Sequence, residues 1–231
     1  MKHILLVGAG HAHTVLLKEL VRQPLRGARV TLVSPSSKQL YSGMLPGVVA
    51  GHYRRHQAEI DVARLAEAAY AEFIEGEVAG LDARARKATL EDGRELAYDV
   101  ASLNAGSRVD TSVPGAAEHA LPVKPFERFV RELQLAPRIA VGGGGAAGAE
   151  LAMALRHRGC AVTLYSDKSG FQPPFERRIT AALRSRGVDY RPGMAITSLE
   201  PGPLVVSGAA RQSFDLVLWA TGALALPWLA P

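Results

Sequence analysis

The feature that most constrains this chain is a pattern written twice. Ile4-Leu5-Leu6-Val7 is a short apolar run, followed by Gly8-Ala9-Gly10, a helical pattern ending near Arg22, and the β-branched run Arg29-Val30-Thr31-Leu32-Val33. Far downstream, Ile139-Ala140-Val141 leads into Gly142-Gly143-Gly144-Gly145, a second helical pattern ending near Arg158, and then Ala161-Val162-Thr163-Leu164-Tyr165. Each reads strand, glycine loop, helix, strand. Continuous apolar runs of this kind suit parallel strands buried on both faces, with helices as the crossovers. An α/β chain with two parallel-sheet units follows.

Between the two patterns the reading changes. Residues 60–69 look helical, with Asp61 as N-cap, and Phe73-Ile74-Glu75 and Val78-Ala79-Gly80-Leu81 read as short strands. Lys87–Leu90 and Glu95–Tyr98 read as a hairpin closed at Asp92-Gly93. Asp99–Asn104 is one more strand, running into Ala105-Gly106. From Ser107 to Pro125 the chain is rich in Pro, Gly and Ser and reads as a linker. The second half repeats the plan, with strands near Asp189, Ile196 and Val205 and a last one from Phe214 to Trp219 that enters Ala220-Thr221-Gly222. The expected boundaries are a first domain at 1–110, a linker at 111–125 and a second domain at 126–231.

Composition excludes several classes. With 231 residues, 48% of them hydrophobic, and a net charge of +5, the chain is long enough for one or two domains with a real core and is not a long disordered region. One cysteine, Cys160, rules out an intramolecular disulfide, a redox-active pair and a Cys-based zinc site. No apolar run approaches the ~20 residues of a membrane span. The start, Met1 to Gly8, is too short and too soon broken by glycine for a signal peptide. These readings point to a cytoplasmic protein. A sequence pI of about 9.6 raises nucleic acid as a partner. The arginines, however, are scattered among Ala and Glu, and aromatics are 6% of the chain, so no stacking surface is legible.

The second glycine loop carries the clearest chemistry. Gly143-x-Gly145-x-x-Gly148, with Ala146 and Ala147 between the last two glycines, fits G-x-G-x-x-G between a strand and a helix. The first Gly makes the turn, the second admits a pyrophosphate to the backbone, and the third lets helix approach strand. The helix N-terminus then offers N–H donors and a positive dipole end. Asp167, just past the next strand, is a candidate for ribose hydroxyls, while Lys168, Arg177 and Arg178 are candidates for a 2′-phosphate, so the ligand is NAD or NADP. Glu150, two residues beyond Gly148, is a candidate for positioning a nicotinamide or, equally, a helix-start acid. The first loop, Gly8-Ala9-Gly10-His11-Ala12-His13, has His13 where a third glycine belongs. Its following strand ends in Ser34-Pro35 without a carboxylate. His11 and His13 do not share a helix face and have no nearby carboxylate, so no metal site is read there.

Two such units, each closed by a strand into a Gly turn, resemble the two-dinucleotide-domain flavoproteins of the pyridine nucleotide-disulfide oxidoreductase superfamily. Ala220-Thr221-Gly222 looks like that superfamily's "ATG" turn, and Asn104-Ala105-Gly106-Ser107 like its counterpart in the flavin half. Gly8–His13, Tyr41-Ser42-Gly43-Met44-Leu45-Pro46-Gly47 and Gly51-His52-Tyr53 are similar to the type II NADH dehydrogenase-like branch, particularly the flavoprotein region fused to selenide, water dikinase in some proteins. The resemblance implies two Rossmann-like units, FAD in the first and NAD or NADP in the second. It places Gly8, Gly10, His11 and Ala12 at the FAD pyrophosphate, Ser34 and Pro35 near the adenosine ribose, and the backbone at Val78 near the adenine. Ala105-Gly106 would lie at the cofactor's middle, and Tyr41 to Pro46, with Met44 and Leu45, against the isoalloxazine. Thr221 and Gly222 would serve the second nucleotide.

The superfamily's usual Cys pair beside the flavin is missing, so the implied electron acceptor is not a disulfide; a quinone is the candidate. Its Gly-Asp segment after the second unit is missing too. The chain therefore reads as lacking the C-terminal part of the FAD domain, with an apolar end at Trp228 that a homodimer or a missing partner region would cover. The expected activity is an FAD-dependent NAD(P)H oxidoreductase working on small-molecule cofactors and an electron acceptor. The alternative is a non-catalytic dinucleotide-binding module that regulates an attached enzyme such as selenide, water dikinase.

Overall fold

The computed structural model describes residues 1–167 and 174–229. They form two compact units, and neither is continuous in sequence. The first comprises Met1–Tyr41, Glu59–Ser107 and the described residues from Ala225 onward; the second comprises Ser42–Ala58 and Arg108–Leu224. Segment 42–58, read from sequence as part of the first domain, packs with the second.

In the first unit, β1 (Lys2–Val7), α1 (His11–Arg22) and β2 (Ala28–Ser34) form the expected βαβ motif. A short antiparallel pair follows, β3 (Lys38–Leu40) with β4 (Glu59–Asp61); between them the chain makes α2 (Leu45–Ala50) in the second unit. Then come α3 (Val62–Ala68), β5 (Glu72–Glu75), the antiparallel meander β6 (Val78–Asp82), β7 (Lys87–Leu90) and β8 (Glu95–Ala97), and β9 (Val100–Leu103). The main sheet is parallel with order β5-β2-β1-β9. Alternation along β1 explains its two cores. Leu6 points to the helix side, with Leu17 of α1 and Val62 and Ala66 of α3; Leu5 and Val7 point to the meander side, with Val78, Ala88 and Leu90. That is a three-layer unit. Asp61 caps α3 as its position suggested, its carboxylate accepting from the Arg64 N–H at 3.0 Å. Trp228 is not an exposed end: it packs against the meander-side core with Leu81 and Leu96, because the chain returns to the first unit at Ala225.

The second unit contains β10 (Arg108–Val109), α4 (Ala116–His119), β11 (Leu121–Pro122), α5 (Phe126–Glu132), β12 (Arg138–Gly142), α6 (Ala146–His157), β13 (Ala161–Tyr165), α7 (Glu176–Ser185) and β14 (Asp189–Arg191). The meander β15 (Ser198–Glu200), β16 (Leu204–Ser207) and β17 (Ala210–Ser213) follows, then β18 (Leu216–Trp219) and β19 (Ala223–Leu224). Its parallel sheet has the order β11-β18-β12-β13-β14. Strands β18, β12, β13 and β14 repeat the plan of β9, β1, β2 and β5, so the duplication read from sequence is a duplication of topology. The stretch read as a linker is structured: β10 pairs with β19, and β11 adds a strand to the sheet. Ile196, read as a strand, lies between β14 and β15 instead.

Candidate functional site

In the second unit a cleft of about 660 Å³ opens at the carboxyl ends of β12, β13 and β18, where ligands of open parallel sheets bind. Its floor is the glycine loop, and each glycine has a distinct reason. Gly143 has φ +115°, and a Cβ there would lie 2.4 Å from the Ala220 carbonyl oxygen. A Cβ on Gly148 would lie 1.8 Å from the Gly143 carbonyl oxygen, so only glycine lets α6 start so close to the loop. Around Gly145, the N-cap of α6, nothing lies within 4 Å of a Cβ. That open position faces the cleft. No hydrogen bond within the described residues reaches the N–H groups of Ala146, Ala147 or Gly148. Three aligned donors at a helix start, beside an open glycine, suit a pyrophosphate.

The walls contain residues that sequence reasoning missed. Asp110, Ser112 and Val113, from the supposed linker, line one side, and Trp219, Tyr165 and Ile196 line others. Asp110 is stapled to the turn after β18. Its carbonyl accepts from Trp219 Nε1 at 2.7 Å and from Thr221 Oγ1 at 2.8 Å, and its N–H donates to the Gly222 carbonyl at 2.9 Å. Bonds from the Ser112 hydroxyl and backbone N–H hold the Asp110 carboxyl below its ordinary pKa. Polar and glycine-rich composition hid this segment, because its fixed conformation comes from a partner more than 100 residues away. Burial pushes the Tyr165 hydroxyl pKa upward, and the Arg191 guanidinium, 5.4 Å from the ring centroid, opposes that shift.

Of the candidate residues in this unit, Gly143, Gly145, Ala146, Ala147, Asp167, Thr221 and Gly222 all line the cleft. Gly148 lies buried beneath it. Glu150 is exposed on α6 and is not among the lining residues. Arg177 and Arg178 lie on exposed α7 away from the lining, and Lys168 lies outside the described residues. Met44 falls in a short 3-10 turn, while Leu45 and Pro46 open α2, with Leu45 buried.

The first unit's loop is built differently. Gly8 (φ +84°) and Gly10 are forced by Asn104, since a Cβ on either would come within 2.6 Å of an Asn104 atom. The Asn104 side-chain oxygen accepts from the Ala12 N–H at 3.0 Å, and its backbone carbonyl accepts from the Gly10 N–H at 3.2 Å. This helix start is therefore capped from within the protein. His13 is buried and bridges two elements, Nδ1 to the Gly8 carbonyl at 2.6 Å and Nε2 to the Ser102 hydroxyl at 2.9 Å. A carbonyl only accepts, so Nδ1 carries the proton and Nε2 accepts from Ser102. His13 thus ties the start of α1 to the glycine loop and to β9. His11 is exposed and stacks on Tyr41, with ring centroids 5.6 Å apart. At the end of β2 the Ser34 hydroxyl is buried without a hydrogen-bond partner, an orphan at the strand tip. Val78 is buried at the start of β6, and Ala105 packs against the meander-side core.

The family described as pyridine nucleotide-disulphide oxidoreductase matches residues 2–227. The ferredoxin–NAD(+) reductase component of the p-cumate 2,3-dioxygenase system of Pseudomonas putida is 27% identical over 237 residues, covering 95% of this chain and 58% of that protein. An NADH dehydrogenase-like protein of Mycobacterium tuberculosis is 27% identical over 179 residues, covering 64% of this chain and 44% of the relative. The water-forming NADH oxidase of Lactobacillus brevis, solved bound to NADH, superposes with a TM-score of 0.82 at 22% identity, over 96% of this chain and 54% of that one. The chain thus spans about half the length of the proteins it matches, and its α/β fold is theirs over that span.

Proposed function

The chain belongs to the pyridine nucleotide-disulphide oxidoreductase family, and on that premise we propose that it forms the nucleotide-binding body of an FAD-dependent NAD(P)H oxidoreductase. The observation that carries the reading is the second unit's cleft, with Gly145 open and three first-turn N–H groups unpartnered. In this assignment Ala146, Ala147 and Gly148 donate to the pyrophosphate of NAD or NADP, Asp167 meets the ribose, and Thr221-Gly222 continue the wall. The Asp110–Trp219–Thr221 staple keeps that wall fixed, so the nucleotide is oriented by preformed structure.

The first unit is assigned to FAD. Its fit rests on the tight Gly8–Gly10 turn, the free His11 N–H, and the orphaned Ser34 hydroxyl at the strand end where the adenosine ribose is assigned. Asn104 holds the Ala12 N–H that a pyrophosphate would take. When bound, the two cofactors supply the redox chemistry, hydride passing from nicotinamide to flavin and electrons onward. The protein binds and orients them and keeps water out. With one cysteine, buried Cys160, the acceptor is not a disulfide of this chain; a quinone or a carrier protein is assigned instead.

The test is a visible spectrum of the purified chain supplied with FAD. Absorbance near about 450 nm, bleached anaerobically by NADH or NADPH, is the expected result. A protein that takes up no FAD yet binds the nicotinamide nucleotide would replace the enzyme reading with the non-catalytic module, attached to an enzyme such as selenide, water dikinase.

A further inference from the structure

Among the described residues that line the second unit's cleft there are two carboxylates, Asp110 and Asp167, and no lysine or arginine. A pyrophosphate held there would be met by backbone N–H groups alone, and both carboxylates would repel it. Their placement gives them another use. Asp167 follows β13, while Asp110 is bonded to the turn that follows β18. In the sheet, β18 and β13 are the two neighbours of β12, whose carboxyl end carries the glycine loop. The two acids therefore flank that loop, one on each side. Strands two apart in a sheet are separated by about 10 Å. A pyrophosphate seated over the loop, with a sugar on each arm, spans a gap of that order.

The other polar side chains of the lining are already engaged. Trp219 Nε1 and Thr221 Oγ1 donate to the Asp110 carbonyl. The Tyr165 hydroxyl donates to Gln212 and accepts from Arg191, each at 3.3 Å. Ser112 gives both its hydroxyl and its backbone N–H to the Asp110 carboxylate. An ionised carboxylate has about four acceptor positions, so about two remain on Asp110 for a ligand. Its main chain is fixed at the carbonyl by Trp219 and Thr221 and at the N–H by Gly222. The carboxylate is thus in position before any ligand arrives, which lowers the ordering cost of binding.

We propose that Asp110 holds the second ribose of the dinucleotide, the one joined to nicotinamide, through its 2′- and 3′-hydroxyls. This rests on the nucleotide-binding reading of the cleft given above, and it names the residue by which that cleft distinguishes a ligand with two riboses from a mononucleotide. Vicinal hydroxyls can both donate and a carboxylate only accepts, so the two groups match. The negative charge strengthens each bond. Asp167, on the other flank, is assigned the adenosine ribose by the same chemistry. Each acid then offsets its repulsion of the pyrophosphate by binding the sugar on its own side of the loop.

The test is calorimetric titration of the full chain, and of its Asp110→Asn variant, with ADP, ADP-ribose and NADH. Asparagine keeps an oxygen for the Ser112 N–H and loses the charge. ADP-ribose and NADH both carry the second ribose, and each should bind the variant about fivefold or more weakly than the parent. ADP lacks that ribose and should hold its affinity or gain, because one negative charge near its phosphates is gone. Its binding also checks that the variant is folded. Parallel losses for all three ligands would make Asp110 a support of the cleft wall, and parallel gains would make it only a source of repulsion. Either result overturns the proposal and leaves the nucleotide site standing. A parent chain that binds none of the three would overturn the nucleotide reading, and the proposal with it.

Discussion

His13 stands where the first glycine loop should have its third glycine, and its ring makes bonds where a glycine would make room. Burial lowers its pKa below the ordinary imidazole value, with the Gly8 carbonyl bond acting more weakly in the opposite direction. A folded-state pKa below the unfolded one means the unfolded chain takes up the proton first as pH falls. The stability is therefore complete above about pH 6.5 and is lost as pH drops from there through the lowered folded value. Urea denaturation between about pH 8 and about pH 5 should show this fall, and His13→Gln should flatten it while costing about 1–3 kcal/mol at neutral pH. The second loop yields a sharper pair. Gly145→Ala meets nothing within 4 Å, so it should change stability by no more than about 1 kcal/mol. Its methyl projects where the pyrophosphate is assigned, so NADH affinity should fall by about tenfold or more. Gly148→Ala, whose methyl would collide with backbone, should fail in both stability and binding. Thermal melts and NADH titration distinguish the two variants.

Asn104 shows what an element-level reading adds. It closes the start of α1 by bonding the Ala12 N–H from 92 residues away. Asn104→Ala should destabilise the chain without FAD by about 1 kcal/mol, the usual cost of a lost cap. FAD-loaded protein should lose less, because the cofactor's pyrophosphate would take the freed donor; melts with and without FAD compare the two. The βαβ motifs, the Asp61 cap and the hairpin at Asp92-Gly93 were all legible in the sequence, because periodicity, capping and turn chemistry are local. The fixed wall at Asp110, the Asn104 cap and the burial of Trp228 were not. Each depends on a partner remote in sequence, and polar or glycine-rich composition does not announce such partners. The glycines of the second loop were legible as a motif. Why each must be glycine became clear only from the backbone atoms facing it.

At the scale of the molecule, the two units repeat one sheet plan, and each is assembled from separate stretches of the chain. Residues 42–58 leave the first unit, lay α2 on α6 of the second, and return. A chain reduced to Arg108–Leu224 keeps the residues that line the cleft but loses α2, which packs on α6 and has Leu45, Val49 and Ala50 buried. Calorimetry should find it melting well below the full chain, with recovery when residues 42–58 are supplied as a tethered segment. An unchanged melting temperature would mean α2 is a passenger.

The same threading sets a timetable for a chain emerging from the ribosome. The residues of the second unit run no further than Leu224, whereas Trp228 reaches the first unit's core only after that point. The half synthesised first therefore gains Trp228 only after residues 108–224 have been made, and one side of its meander core lacks that cover until then.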